Sequence, residues 1–169
     1  MTATRADLHI DRPTVADGAA LWRIAKDSNA LDLNSSYSYL LWCRDFAGTS
    51  AVVRDERGEP VGFVTGYVPP DRPGTLLVWQ VAVDAAQRGR GLAARLLDGL
   101  TERVAAEHDG LTAIETTITP GNTASERLFT SYAERHGATV ERTVLFEAGD
   151  FPDGPHDPEV LYRIGPLSL

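Results

Sequence analysis

The run Arg88-Gly89-Arg90-Gly91-Leu92-Ala93 sets two glycines and two guanidinium groups between the apolar residues Val81-Ala82-Val83 and an amphipathic helical pattern. Glycines let a backbone approach a ligand closely, successive N–H groups form an anion nest, and a helix N-terminus adds a favourable dipole. That is chemistry for holding phosphate. Two carboxylates stand in unusual company. Asp32 lies in "LDLNSSYSY", beside Asn34, Ser35, Ser36 and Tyr37, and Glu115 lies in the strand-like "TAIETTIT". Either can hold an ammonium or take a proton from it. Trp79 can wall a pocket and stack on a cation, and His156 sits in the loop "FPDGPHDPE". Each has a plainer reading. Asp32 to Ser36 suit a helix cap, Trp79 suits a core, Glu115 suits an exposed edge, and a loop histidine is usually solvated.

These residues need elements to position them. "LHI" reads as a first strand, and "TVADGAALWRIAKDS" as a helix with Thr14 and Asp17 at capping-box spacing. A second helix begins near Ser36. "SAVVRD" and "EPVGFVTGYV" flank Glu56-Arg57-Gly58 as a hairpin, and "TLLVWQVAV" is the next strand. Leu92, Leu96, Leu97, Leu100 and Val104 make one helical stripe. "LTAIETTIT" is a strand. "NTASERLFTSYAERHG" is a helix with Thr123 and Glu126 at capping-box spacing and Gly137 as its stop. "TVERTVLFE" and "VLYRI" close the chain as strands around a Gly/Pro/Asp-rich loop. The alternation of helices and strands predicts one mixed α/β domain over residues 1–169.

Composition narrows the class. A formal net charge of −8 argues against a nucleic-acid partner, which needs a basic face. The first residues lack the apolar core of a signal peptide, and no apolar run has the length of a membrane span, so a cytoplasmic protein with no membrane partner is expected. The single cysteine, Cys43, forms no intramolecular disulfide and reads as a small buried hydrophobe. His9, His108, His136 and His156 show no ligand-like spacing, and no metal is expected.

Two phosphate compounds compete for the glycine turn. A dinucleotide fingerprint should close the first strand–helix unit, with a third glycine and an acid some twenty residues on. Here the turn follows more than eighty residues, the third glycine position is Ala94, and Glu107 and Asp109 fall at the end of the helix. The pattern instead resembles the R-x-x-G-x-A pyrophosphate loop of the Gcn5-related N-acetyltransferases. The resemblance implies an acetyl-CoA-dependent enzyme of single-domain α/β fold, a mixed central sheet flanked by helices with strands splayed at the cofactor site. It assigns Arg88, Gly89, Arg90, Gly91, Leu92 and Ala93 to the pyrophosphate, Val81 and Val83 to the pantetheine arm, and Asn122 to the cofactor's amide arm. Asn122 also suits a helix cap. The family's usual tyrosine, seven residues after that asparagine, is here Phe129, which keeps a cofactor contact. Tyr132 lies about 80° round the helix from Asn122. With a thiol pKa of ~8.5, a thiolate leaving group has no obligatory need of an acid.

"LDLNSSYSYLLWC", "VWQVAVD", "IETTITPGNTAS" and the tail "PHDPEVLY" extend the resemblance over nearly the whole chain. Together they look like the L-2,4-diaminobutyrate acetyltransferases of ectoine biosynthesis. That family is cytoplasmic, homodimeric and metal-free, and moves acetyl from acetyl-CoA to the 4-amino group of a small diamino acid. The resemblance implies substrate contacts at Asp32, Asn34, Ser35, Tyr37, Trp79, Glu115, Thr117 and His156, with Asp32 or Glu115 as the base. The deprotonated amine attacks the thioester directly. Alternatives left open are a broader diamine or polyamine acetyltransferase, a protein acetyltransferase, and a non-catalytic acetyl-CoA-binding module.

Overall fold

Residues spaced three and four apart put Leu92, Leu96, Leu97, Leu100 and Val104 on one side of a single helix, and all five are buried. In this computed structural model, which describes residues 8–169, that helix is α3 (Leu92–Glu107). Before it come β1 (His9–Asp11), α1 (Gly18–Ser28), α2 (Ser36–Asp45), β2 (Ala51–Arg54), β3 (Pro60–Tyr67) and β4 (Thr75–Val83). After it come β5 (Ala113–Ile118), α4 (Thr123–Arg135), β6 (Thr139–Phe146) and β7 (Glu159–Gly165). The order matches the one expected from periodicity, and the strands follow the sheet order β1-β2-β3-β4-β5-β7-β6. The reading of residues 1–7 lies outside the described residues.

The chain divides into two compact units, interleaved in sequence. The first comprises Met1–Tyr67 with Gln80–Val104, and the second Val68–Trp79 with Ala105–Leu169. In the first, β1, β2 and β3 form an antiparallel run, with Ala51 opposite Val64 and Val52 opposite Phe63. The β2–β3 turn is closed by the Gly58 N–H donating to the Asp55 carbonyl at 2.9 Å. Leu21 and Ile24 of α1, Tyr39 and Cys43 of α2, Val52, Phe63 and the α3 stripe fill the core.

Arg54 locks this unit's entry. Its guanidinium donates to both oxygens of buried Asp17, at 2.7 and 2.8 Å. The Asp17 carboxylate also accepts the Thr14 N–H at 2.7 Å. The box expected at Thr14 and Asp17 therefore closes a short 3-10 turn, Val15–Asp17, one step ahead of α1. Burial works against ionisation of Asp17. The hydrogen bonds from Arg54 and Thr14 overcome it and hold the carboxyl below the usual carboxylate range.

In the second unit β5 pairs antiparallel with β7, and β7 with β6. The first half of β4 pairs parallel with β5, from Thr75 opposite Ala113 to Val78 opposite Thr116. Leu76, Ile114, Ile164, Phe129 and Tyr132 make its core. Of the two N-caps the sequence offers for α4, the structure uses the earlier one. The cap is Asn122, whose side chain accepts the Ser125 N–H at 3.2 Å, rather than Thr123 with Glu126. It stops as expected at Gly137, which takes φ +61° while the Ala138 N–H reaches back to the Ala133 carbonyl.

Candidate functional site

The glycine turn forms as a backbone device. Gly89 and Gly91 adopt φ of +77° and +70°, conformations that side chains disfavour. A 3-10 turn over Ala85–Gln87 leads into them and α3 begins at Leu92. The Arg95 N–H makes the helix's opening bond, to the Gly91 carbonyl at 3.1 Å. The N–H groups of Leu92, Ala93 and Ala94 thus lie in the first turn, where the helix itself offers them no acceptor. Arg88, Gly89, Arg90 and Gly91 are all exposed. Bent glycines, first-turn N–H groups and two accessible guanidiniums form a donor set suited to a pyrophosphate.

Strand β4 carries the residues expected beside it. Its side chains alternate: Leu76, Val78, Gln80 and Ala82 are buried, whereas Trp79, Val81 and Val83 are half-buried. The face assigned to the pantetheine arm and the substrate wall is therefore the less covered one. The ladder with β5 ends at Val78, and β4 runs on to Val83. Backbone beyond a ladder's end is the feature that lets an amide-bearing ligand add along a strand.

The polar segment between α1 and α2 presents Asp32, Ser35 and Tyr37 at the surface, with Asn34 half-buried. Ser35 is the α2 cap, accepting the Ser38 N–H, so capping and a binding loop coexist here. What sequence reasoning missed is the anchor beneath. The Asp32 carbonyl accepts from Gln80 Nε2 at 2.9 Å, and the Tyr39 hydroxyl donates to Gln80 Oε1 at 2.9 Å. Tyr39 is fully buried and its phenol is raised above the ordinary tyrosine value by that burial, against hydrogen bonds from Asn34. The available signal was a glutamine in the middle of an apolar strand.

In the second unit Glu115 is buried, as its strand position suggests, and two arginines account for it. Arg163, opposite it on β7, donates to Oε1 at 2.8 Å, and Arg72 lies 3.8 Å from Oε2. Two guanidinium partners account for the buried carboxylate without a ligand. Thr117 is half-buried. Phe129 is 3% exposed, and Tyr132 is fully buried against His136, at 4.2 Å between ring centroids. His156 is half-buried and stacks on Phe151 at 3.7 Å, with Nδ1 held by the Asp157 carbonyl at 2.5 Å. Donation from Nδ1 leaves Nε2 as the neutral ring's acceptor. A surface pocket of this unit is lined by Thr112, Thr139, Glu141, Arg163 and Pro166, and by none of the expected site residues.

Cys43 offers no nucleophile. It is 2% exposed, and burial together with the Asp17 charge pushes its thiol up to about 11. No helix among the described residues is long and apolar enough to cross a membrane.

Residues 19–133 match the model of the Acetyltransferase (GNAT) family. The chain belongs to that family. The glycine turn and the β4 segment before it fall within the matched span. The chain is 76% identical over 168 residues to the L-2,4-diaminobutyric acid acetyltransferase of Streptomyces coelicolor, covering 99% of this chain and 98% of that protein. It is 75% identical over 179 residues to the protein of the same name from Streptomyces avermitilis, covering 99% of each. Among solved structures it resembles the diaminobutyrate acetyltransferase EctA from Paenibacillus lautus, in complex with its substrate L-2,4-diaminobutyric acid and coenzyme A. The TM-score is 0.89 at 40% identity, over 97% of this chain and 98% of that one. The seven-stranded mixed sheet and four α-helices among the described residues are thus a GNAT acetyltransferase fold, and the protein is an acyltransferase.

Proposed function

We propose that this enzyme transfers acetyl from acetyl-CoA to the 4-amino group of L-2,4-diaminobutyrate. The observation that carries the reading is the near full-length likeness to proteins of that activity. The donor set of the glycine turn and the accessible face of β4 support it. Acetyl-CoA supplies an activated thioester. In this reading the N–H groups of Gly89 to Ala93, with Arg88 and Arg90, hold its pyrophosphate, and the backbone at Val81 and Val83 holds the pantetheine arm. A backbone N–H near Val81 donates to the thioester carbonyl oxygen and favours the charge that develops there.

The acceptor carries two ammonium groups and a carboxylate. An alkylamine of pKa ~10.4 is free base only about once in a few thousand at pH 7, so the protein must help remove a proton. We assign that task to Asp32, directly or through a water, because Glu115 is already committed to Arg163 and Arg72. Trp79 stacks against an ammonium, and Asn34, Ser35, Tyr37 and Thr117 supply polar contacts. His156 is assigned to the substrate carboxylate. Asn122 and Phe129 are assigned to the cofactor's arm. The amine attacks directly, without an acyl-enzyme. The finer setting we propose is a cytoplasmic homodimer in ectoine biosynthesis, acting as a single domain over 1–169, without metal, nucleic acid or membrane.

Thiol release measured over diaminobutyrate, ornithine, lysine and putrescine tests the reading. Diaminobutyrate should exceed the others at least tenfold in kcat/KM, and Asp32→Asn should lose most of kcat. Equal use of putrescine would make the enzyme a general diamine acetyltransferase. Binding of acetyl-CoA without thiol release to any amine would make it a non-catalytic module.

A further inference from the structure

Gln80 alternates along β4 with Leu76, Val78 and Ala82, all apolar and buried, and is itself 6% exposed. A buried primary amide needs partners at both ends. Here both are found within the same unit. Only the amide nitrogen can donate to the Asp32 carbonyl, so that bond fixes the amide's orientation and turns Oε1 to the Tyr39 hydroxyl. Tyr39 is fully buried, and the Asn34 side chain adds a second donor to the Asp32 carbonyl at 3.3 Å. The main chain of an exposed loop is therefore bolted to an interior amide, while the Asp32 and Tyr37 side chains stay accessible.

We propose that Tyr39 and Gln80 are the positioning residues of the acceptor loop, resting on the assignment of that loop to the diamino acid. Gln80 immediately precedes Val81, the residue assigned to the pantetheine arm. One side chain thus sets the height of the Asp32 backbone against the strand that carries the donor. Neither residue touches the reacting atoms. Their effect falls on binding and orientation of the acceptor, since a group displaced by an ångström loses much of the benefit of alignment.

The test uses Gln80→Glu and Tyr39→Phe in the full-length enzyme. Gln80→Glu keeps length and the acceptor for Tyr39 but cannot donate to the Asp32 carbonyl when ionised. Tyr39→Phe removes a single oxygen and leaves the Gln80–Asp32 bond. Expected are a rise of about tenfold or more in KM for diaminobutyrate with Gln80→Glu and about threefold with Tyr39→Phe, in line with loss of a buried hydrogen bond. KM for acetyl-CoA should stay within about twofold in both. Unchanged KM for diaminobutyrate in both variants overturns the proposal, as does a parallel rise in both KM values accompanied by a lower melting temperature, which marks a general structural role. A wild-type enzyme that releases no thiol with diaminobutyrate overturns instead the assignment beneath it.

Discussion

Replacing Gly89 and Gly91 together by alanine tests the cofactor end of the account with a magnitude the backbone supplies. At both positions an added Cβ meets no atom within 4 Å, so steric clash contributes nothing. The cost is conformational. An L-residue held at φ of +77° or +70° loses about 1–2 kcal/mol relative to glycine, offset by about 0.4–1 kcal/mol from a stiffer unfolded chain. A net ~1 kcal/mol per site gives ~2 kcal/mol for the pair, and the turn can relieve it by rotating out of the left-handed region. Doing so redirects the N–H groups that face the pyrophosphate. Restoring the turn on binding then costs that ~2 kcal/mol, which at ~1.4 kcal/mol per factor of ten is a rise of roughly 10- to 30-fold in KM for acetyl-CoA. S-acetylpantetheine carries the same thioester and arm but no pyrophosphate, so its kcat/KM should change less than about twofold. Initial rates with the two donors, beside far-UV circular dichroism to show folding, decide the matter. Equal losses with both donors, or no loss with either, would refute the pyrophosphate assignment.

Three further outcomes follow from the ion pairs. Glu115→Gln should lower the melting temperature by a few degrees yet keep kcat within about threefold, whereas a hundredfold loss of kcat at unchanged stability would return Glu115 to the reacting amine. Arg163→Met should destabilise by about 1–2 kcal/mol, below the ~3–5 of a fully buried broken pair, because Arg163 is 42% exposed and Arg72 remains. Asp17 makes stability depend on acidity. Its carboxyl is lowered in the folded state, so its contribution is complete above the ordinary value of about 3.9 and is lost as pH falls through the folded value. Melting curves from pH 6 to pH 2.5 should show this loss in the wild type, and Arg54→Met should flatten it. An identical acid slope in both would detach it from the Asp17–Arg54 pair.

Periodicity made the element order legible because the leucines of α3 and the alternation of β4 are local signals. The glycine turn was legible for the same reason: the φ requirement sits in the residues themselves. Pairings distant in sequence were not. Glu115 alone cannot say that Arg163, 48 residues on, will meet it, and an apolar strand does not show that Gln80 reaches back 48 residues to Asp32. Helix caps fell between the two cases. Asn122 and Thr123 both suit an N-cap, and the structure uses Asn122, which accepts the Ser125 N–H. The division into two compact units was invisible, because each is assembled from two separated stretches of chain. The sequence reading of the acceptor rests on "LDLNSSYSY" and "IETTIT" rather than on the glycine turn, which is common to many phosphate binders.

The central claim is the identity and regiochemistry of the acetyl acceptor. The direct measurement is proton NMR of the product formed from acetyl-CoA and L-2,4-diaminobutyrate by the purified enzyme. The account predicts a single product in which the C4 methylene protons shift downfield with the new amide while the C2 proton keeps the position of a free α-ammonium. A product acetylated at the 2-amino group, a mixture of the two, or unreacted diaminobutyrate under conditions where another amine is consumed would contradict it.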